Sequence, residues 1–138
     1  MHKMTFYTVG DLPKTFQPIA DKWIKQLSSY IQMDHRVIKD AEKLLDKWPQ
    51  GFVVVLDAAG TQLTSEALAT RLNELMSFGQ HATIILGGAK GLSDEIKNRA
   101  DFTLSLSPMT TTHDLAHLFF LEQLYRATTI IHGREYHY

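Results

Sequence analysis

Residues 84–93 read Ile-Ile-Leu-Gly-Gly-Ala-Lys-Gly-Leu-Ser, and this stretch decides the fold. The apolar run predicts a strand, and Ser93 is placed to cap the helix that follows. Gly87 and Gly88 at the end of the strand leave bare backbone that a ligand can approach closely. With Gly91 they fit neither the dinucleotide pattern GxGxxG nor the phosphate-binding pattern GxxxxGK[ST]. The stretch therefore predicts a strand-to-helix turn that can also serve as a ligand site.

Outward from this turn, strand-like and helix-like segments alternate along the chain. The predicted strands are Thr5–Val9, Ile31–Val37, Phe52–Asp57, Thr83–Leu86 and Phe102–Ser105. The predicted helices are Pro18–Tyr30, Val37–Trp48, Thr64–Phe78, Ser93–Ala100 and Asp114–Thr129. Such alternation predicts an α/β fold with a mostly parallel sheet flanked by helices. Ligands of such sheets bind at the carboxyl ends of strands, here Leu56-Asp57, Gly87-Gly88 and Leu106-Ser107.

Length and composition predict a single globular domain over residues 1–138, with 44% hydrophobic and 21% charged residues. The absence of cysteine excludes disulfides and thiolate chemistry, and the seven histidines show no metal-binding spacing, so no metal is expected. No apolar run reaches the length of a membrane span and no signal peptide pattern appears, which favours a cytoplasmic location. The formal net charge of −1 argues against a dedicated nucleic-acid binder. Any contact with RNA is therefore expected to be local.

The last predicted helix, Asp114–Thr129, is apolar around much of its circumference. Its apolar side chains include Leu115, Leu118, Phe119, Leu121 and Leu124. A helix that is apolar all round is buried on all sides. Because one small domain cannot cover such a helix alone, the pattern predicts that a second copy of the chain covers it.

The order of motifs in the last third of the chain resembles the ribosomal RNA large subunit methyltransferase H family. These small SPOUT-class enzymes methylate N3 of pseudouridine 1915 in 23S ribosomal RNA. The matching segments are residues 87–93 (GGAKGLS), 104–107 (LSLS), His113, 121–127 (LEQLYRA) and 133–137 (GREYH). The resemblance extends to residues 5–10 and 52–57.

The resemblance implies a SPOUT-like fold with a C-terminal trefoil knot and a homodimer with its active site at the interface. It implies S-adenosyl-L-methionine as cofactor and RNA of the large subunit or whole ribosome as substrate. It also implies the residues that hold the cofactor: Leu56, Gly87, Leu106, Ser107, Pro108, Met109, Thr110 and Thr111. An apolar slot with backbone hydrogen bonds, which strand ends and glycine turns supply, suits an adenine.

Four residues are candidates for catalysis. Glu122 and Arg126 stand four apart on the last helix, side by side, and an ion pair on an apolar helix is costly unless it has a task. We expect Arg126 to contact phosphate or the substrate base from the partner subunit. Tyr136 and His137 suit stacking on an extruded RNA base. The family usually has a basic residue next, where this chain has Tyr138.

Two alternatives stay open beside an S-adenosylmethionine-dependent ribosomal RNA methyltransferase. The first is a non-catalytic RNA- or ribosome-binding module that keeps the fold, which the near-neutral charge and Tyr138 favour. The second is a nucleotide-binding oxidoreductase, which the α/β pattern allows. The absence of GxGxxG after the first strand counts against it.

Overall fold

A computed structural model describes residues 2–136, in which five parallel strands form one sheet. The strands are β1 (His2–Val9), β2 (Ile31–Ile38), β3 (Phe52–Gln62), β4 (Ala82–Leu86) and β5 (Phe102–Ser105), in the order β2-β1-β4-β3-β5. The helices are α1 (Gln17–Leu27), α2 (Ser65–Ser77), α3 (Asp94–Arg99) and α4 (His113–Ile131), with a 3-10 helix at Ala41–Leu45. The predicted α/β fold with a parallel sheet flanked by helices is confirmed.

The sheet has a core on each face. On one face α1, α2 and α4 cover a large core that includes Phe6, Leu27 and Phe120. On the other face a smaller core joins Val53 and Val55 of β3 to the 3-10 helix and α3. Alternate residues of β3 therefore enter different cores, which explains why the strand is apolar without interruption.

Side-chain caps begin three of the helices where the sequence indicates. Ser93 accepts a hydrogen bond from the Ile96 amide at 3.3 Å, so its predicted capping role is confirmed. Thr64 caps α2, and Thr112 caps α4. His113 is thus the first residue of α4, one residue before the predicted start of this helix at Asp114. None of the helices within residues 2–136 has the length and apolar content needed to cross a bilayer.

The helix predicted at Val37–Trp48 is wrong. Val37 belongs to β2, where it pairs with Thr8 of β1, and Asp40 then caps the short 3-10 helix Ala41–Leu45. The apolar residues of this region recur at helical spacing, but the β1 ladder continues through the first of them. Pairing with β1 therefore overrides the local periodicity.

Strand β3 is longer than predicted, because it continues past Leu56 to Gln62. Both Leu56 and Thr61 face Leu104 of β5, so the residues between them bulge out of the ladder. Gly60 lies in this bulge, and a Cβ atom there would stand 2.6 Å from the Thr103 carbonyl oxygen. The bulge can pack this closely on β5 only because position 60 has no side chain.

His35 of β2 and His117, in the second turn of α4, both pack on Phe6 of β1. The ring centroids of His35 and His117 lie 5.2 Å apart, and lie 5.4 and 5.0 Å from the centroid of Phe6. His35 Nε2 is 2.8 Å from Thr8 Oγ1, whereas Nε2 of the buried His117 has no hydrogen-bond partner in residues 2–136. Burial lowers the pKa of His117 to about 4 and also lowers the pKa of His35.

Candidate functional site

The carboxyl ends of β3, β4 and β5 lie side by side at one edge of the sheet. Leu56 pairs with Leu86 on one side and with Leu104 on the other. Gly87 directly follows Leu86, and residues 106–111 follow the end of β5. All eight predicted cofactor residues therefore lie at or next to one edge of the sheet. Leu56 and Gly87 are buried, whereas the loop is exposed from Pro108 onward.

The glycine turn after β4 is closed by its own backbone. The Gly91 amide donates to the Gly88 carbonyl oxygen at 2.9 Å, and Gly91 has a φ of 73°. A Cβ atom on Gly87 would stand 2.8 Å from the Gly91 carbonyl carbon and 3.0 Å from Leu92 Cγ. Packing within the turn thus requires glycine at position 87. The reason given from the sequence, a bare backbone that a ligand can approach, stays a prediction beside this one.

The loop after β5 is fixed at its base. Oγ of the buried Ser105 lies 3.0 Å from the carbonyl oxygens of both Ala58 and Ser107, so its hydroxyl joins the β3 bulge to the loop. The Met109 amide donates to Ser107 Oγ at 3.0 Å, while the Met109 side chain is 77% exposed. The loop therefore presents hydroxyl groups and the exposed Met109 side chain on a backbone that hydrogen bonds hold in place.

A second group of polar side chains surrounds the Glu122 carboxylate on α4. Glu122 Oε1 accepts hydrogen bonds from Arg126 Nη2 at 2.7 Å, Arg126 Nε at 3.2 Å and the Tyr136 hydroxyl at 3.0 Å. The Arg126 guanidinium also lies over the Tyr136 ring, 4.7 Å from its centroid. The structure thus brings together three of the four predicted catalytic residues. The fourth, His137, lies outside the described residues.

The hydrogen bonds and the burial of this group keep Arg126 and Tyr136 in their protonated forms. The hydrogen bond from Arg126 to Glu122 raises the pKa of Arg126. Burial raises the pKa of Tyr136, and the hydrogen bond to Glu122 adds to the effect. Arginine and tyrosine are already protonated at neutral pH, so both upward shifts keep them as hydrogen-bond donors. The arrangement can bind an anion or a carbonyl group, but these two side chains do not accept a proton.

Sequence reasoning missed two aromatic neighbours of Tyr136. Its ring centroid lies 5.1 Å from that of Tyr125 and 6.3 Å from that of Trp23, and the latter two are 5.6 Å apart. Trp23 lies within the helix predicted at Pro18–Tyr30 and Tyr125 within the matching segment 121–127, and neither was assigned a role in the site. The contact between α1 and α4 that joins them is long-range, and no local signal in the sequence indicates it.

Within one chain the two groups are well separated along α4. Glu122 lies ten residues after the cap Thr112, or roughly 15 Å at the rise of an α-helix. Leu115 and Phe119 lie on the same stripe of α4 as Glu122 and Arg126, and they are 51% and 44% exposed. This stripe is open in the single chain, which agrees with the expectation that one chain cannot cover the helix alone. Its coverage by a second copy stays a prediction.

A family model described as "Predicted SPOUT methyltransferase" matches residues 2–137. The chain belongs to the SPOUT methyltransferase family. This confirms the resemblance found in the motifs of the last third of the chain.

Two relatives are each named "Ribosomal RNA large subunit methyltransferase H". The one from Anaeromyxobacter dehalogenans is 36% identical over 151 residues, which cover 98% of this chain and 99% of that protein. The one from Syntrophotalea carbinolica is 46% identical over 101 residues, covering 72% of this chain and 65% of that protein. A solved probable methylase family protein from Haemophilus influenzae Rd KW20 superposes with a TM-score of 0.60 at 10% identity, covering 99% of this chain and 70% of that one. This last likeness concerns the fold alone.

SPOUT methyltransferases use S-adenosylmethionine, and the sheet edge fits this group. The glycine turn has no room for a Cβ atom at position 87, so it presents backbone at the edge. The eight predicted cofactor residues include no charged side chain and supply apolar and hydroxyl groups, which suit an adenosine. No three His, Asp or Glu side chains within residues 2–136 are arranged to hold a metal ion.

Proposed function

We propose that this chain methylates N3 of the pseudouridine at position 1915 of 23S ribosomal RNA. The relative from Anaeromyxobacter dehalogenans, alike over nearly the whole length of both chains, supports a ribosomal RNA substrate. The structural observation that carries the proposal is the Glu122 carboxylate of α4, which holds Arg126 of the same helix beside Tyr136 from the segment that follows it. A fixed cation next to an aromatic ring suits the phosphate and the base of an extruded nucleotide.

S-adenosylmethionine, when bound, supplies a methyl group that is already activated for transfer. The residues at the sheet edge, Leu56, Gly87 and 106–111, would hold this group. The main task left to the chain is to align the base nitrogen with the methyl carbon. Glu122 acts here as a positioning residue, because its oxygens accept bonds from Arg126, Tyr136 and the Gln123 side chain.

The imide proton must leave N3 as the new bond to carbon forms. Arg126 and Tyr136 do not accept it, because both are already protonated at neutral pH and their raised pKa values keep them so. We assign this step to His137 or to a water beside Glu122 and Arg126. Loss of this proton leaves an anionic nitrogen, and a pocket at a subunit interface that excludes bulk water would favour its reaction with a positively charged methyl donor.

The active form is proposed to be a homodimer, formed in the cytoplasm by single-domain chains that carry the trefoil knot of the family. The open stripe of α4 supports the dimer, because Leu115 and Phe119 expose apolar surface beside Glu122 and Arg126. Pairing through this stripe would bring the Glu122 group of one subunit toward the cofactor loop of its partner. The separation of the two groups within one chain supports this arrangement.

Replacement of Phe119 with glutamate should dissociate the dimer. A charge at the centre of the apolar stripe would be buried without a partner in the interface. Light scattering should give the mass of one chain for Phe119→Glu and of two chains for the unmodified protein. Phe78→Glu, at an exposed phenylalanine outside the stripe, should remain dimeric. A monomeric unmodified protein at micromolar concentration would contradict the shared active site.

Removal of residues 136–138 should stop methyl transfer without affecting cofactor binding. The truncation deletes the Tyr136 hydroxyl that bonds Glu122 and the ring that covers Arg126. We expect the transfer rate to fall about 100-fold, the usual cost of a misplaced site, with cofactor affinity nearly unchanged. The control Tyr138→Arg should keep or raise the rate by adding a phosphate contact. Equal loss of cofactor binding would place these residues in the cofactor pocket instead.

Calorimetric titration with S-adenosylhomocysteine tests the cofactor assignment. The proposal predicts one binding event per chain and no binding of NAD. Binding of NAD alone would support the oxidoreductase alternative and contradict the proposal. Cofactor binding without methyl transfer to ribosomes would support the alternative of a non-catalytic RNA- or ribosome-binding module.

A further inference from the structure

We propose a second ligand site, separate from the methyl-transfer site, that takes a small uncharged ring compound. The site is an apolar cavity of about 200 Å³ between the sheet and helices α2 and α4. Protein interiors contain few voids larger than a water molecule. An engineered cavity of about 150 Å³ lined by Leu, Ile and Phe stays dry and binds benzene. The present cavity therefore has room for a ring compound of about that size or slightly larger.

The lining of the cavity selects an apolar occupant. Its inner wall is formed by core side chains, among them Val54 and Ile84 of the sheet, Leu72 of α2, and Phe120 and Leu124 of α4. A buried water needs two to four polar partners, and this wall is formed by apolar side chains. Water is thus a poor occupant of the inner part of the cavity.

The rim of the cavity favours a neutral ligand. Its polar lining residues are Arg71, Glu74 and Gln80, which contribute one cation, one anion and one amide. Arg71 lies over the Phe102 ring, 4.5 Å from its centroid, and keeps that aromatic face at the rim. Because the two charges offset each other, the rim does not favour a ligand of either sign.

The cavity opens away from the cofactor edge. In β3 and β4 it contacts Phe52, Val54, Ala82 and Ile84, which precede Leu56 and Leu86 at the cofactor edge. Leu63 and Leu104 also line it, but none of the eight predicted cofactor residues does. The proposal therefore does not depend on the proposed function. Phe78 stands at the mouth with 84% of its surface exposed, so its side chain does not fill the cavity.

Titration with indole, followed by saturation-transfer NMR and calorimetry, tests the site. We expect one molecule per chain with a dissociation constant on the order of 0.1–1 mM, reasonable for a compact ligand of nine heavy atoms. Saturating S-adenosylhomocysteine should leave indole bound. Its displacement would place indole in the cofactor site and overturn the proposal.

Filled-cavity variants complete the test. Leu75→Trp, on a half-buried α2 residue that lines the cavity, should weaken indole binding at least tenfold. Met76→Trp is the matched control, because its neighbouring half-buried side chain lines a different pocket and should leave the affinity unchanged. Ala82→Val provides a smaller filling from β4 if Leu75→Trp does not fold. Equal affinity in the filled and control variants would contradict the site, as would binding that appears only in Phe78→Ala, since Phe78 would then be the occupant.

Discussion

Gly87→Ala should weaken S-adenosylmethionine binding about ten- to one-hundred-fold. The added Cβ would stand 2.8 Å from the Gly91 carbonyl carbon, closer than such atoms approach, so the turn after β4 must move. Overpacking of this kind costs about 1–3 kcal/mol of folding free energy. Because the free turn can shift to relieve the clash while the bound cofactor requires the original position, this cost falls on the complex, and each 1.4 kcal/mol is a factor of about ten in affinity. The loss would be measured by calorimetry, with circular dichroism to establish that the protein remains folded.

Gly79→Ala is the matched control for this substitution. Gly79 has a φ of 63°, so alanine strains its backbone, but nothing lies within 4 Å of the added Cβ. The residue follows α2 at the opposite end of the sheet from the cofactor edge. We expect a loss of stability with no change in cofactor affinity. If Gly87→Ala binds the cofactor like the unmodified protein, the turn does not belong to the site.

The protein should lose about 3 kcal/mol of stability between pH 6.5 and pH 4 through His117 alone. Its pKa is about 4 in the folded state against 6.5 in an unfolded chain, mainly because burial disfavours the charged ring. The stabilisation from neutral, buried His117 is complete above pH 6.5. As the pH falls from 6.5 toward 4, this ring is protonated in the unfolded chain but not yet in the folded one, so the stabilisation is lost. The neighbouring His35 and His113 lower the pKa further.

His35 contributes in the same direction, because burial lowers its pKa although Asp11, Asp21 and Asp34 oppose the shift. Denaturant unfolding at pH 7 and pH 4.5 measures the combined effect. His117→Leu removes the titrating ring, whose Nε2 has no hydrogen-bond partner among residues 2–136, so the stability of this variant should depend much less on acid. His132→Leu, at an exposed residue that follows α4, should keep the acid dependence of the unmodified protein. An unchanged dependence in His117→Leu would contradict the assignment.

The sequence predicts those elements whose local signals agree with their tertiary environment. The strand before Gly87 is buried along its whole length and apolar except for Thr83, and Ser93 caps the next helix, so pattern and structure coincide. The strand Phe102–Ser105 is predicted with its observed bounds. The cofactor edge follows from this, because parallel strands end on the same side of a sheet.

The remaining features depend on contacts between distant segments. Strand β2 pairs with β1 at the edge of the described sheet, and most of its side chains are at least partly exposed. Its last residues join a segment whose apolar residues recur at helical spacing, and this spacing led to the wrong helix at Val37–Trp48. The bulge of β3 depends on β5, which starts 40 residues after Gln62. The ring cluster of Trp23, Tyr125 and Tyr136 depends on α1 packing against α4. No local sequence pattern indicates contacts between such distant segments, so the sequence alone could not predict these features.

Methyl transfer to ribosomes tests the proposed activity of this chain. Ribosomes from a strain that lacks the gene for this chain would be incubated with the protein and S-adenosylmethionine, and the 23S RNA analysed by nuclease digestion and mass spectrometry. The account predicts one added methyl group, on N3 of the pseudouridine at position 1915, and its absence when Arg126 is replaced by alanine. An unmethylated position 1915, or a methyl group added at another nucleotide, would contradict the account.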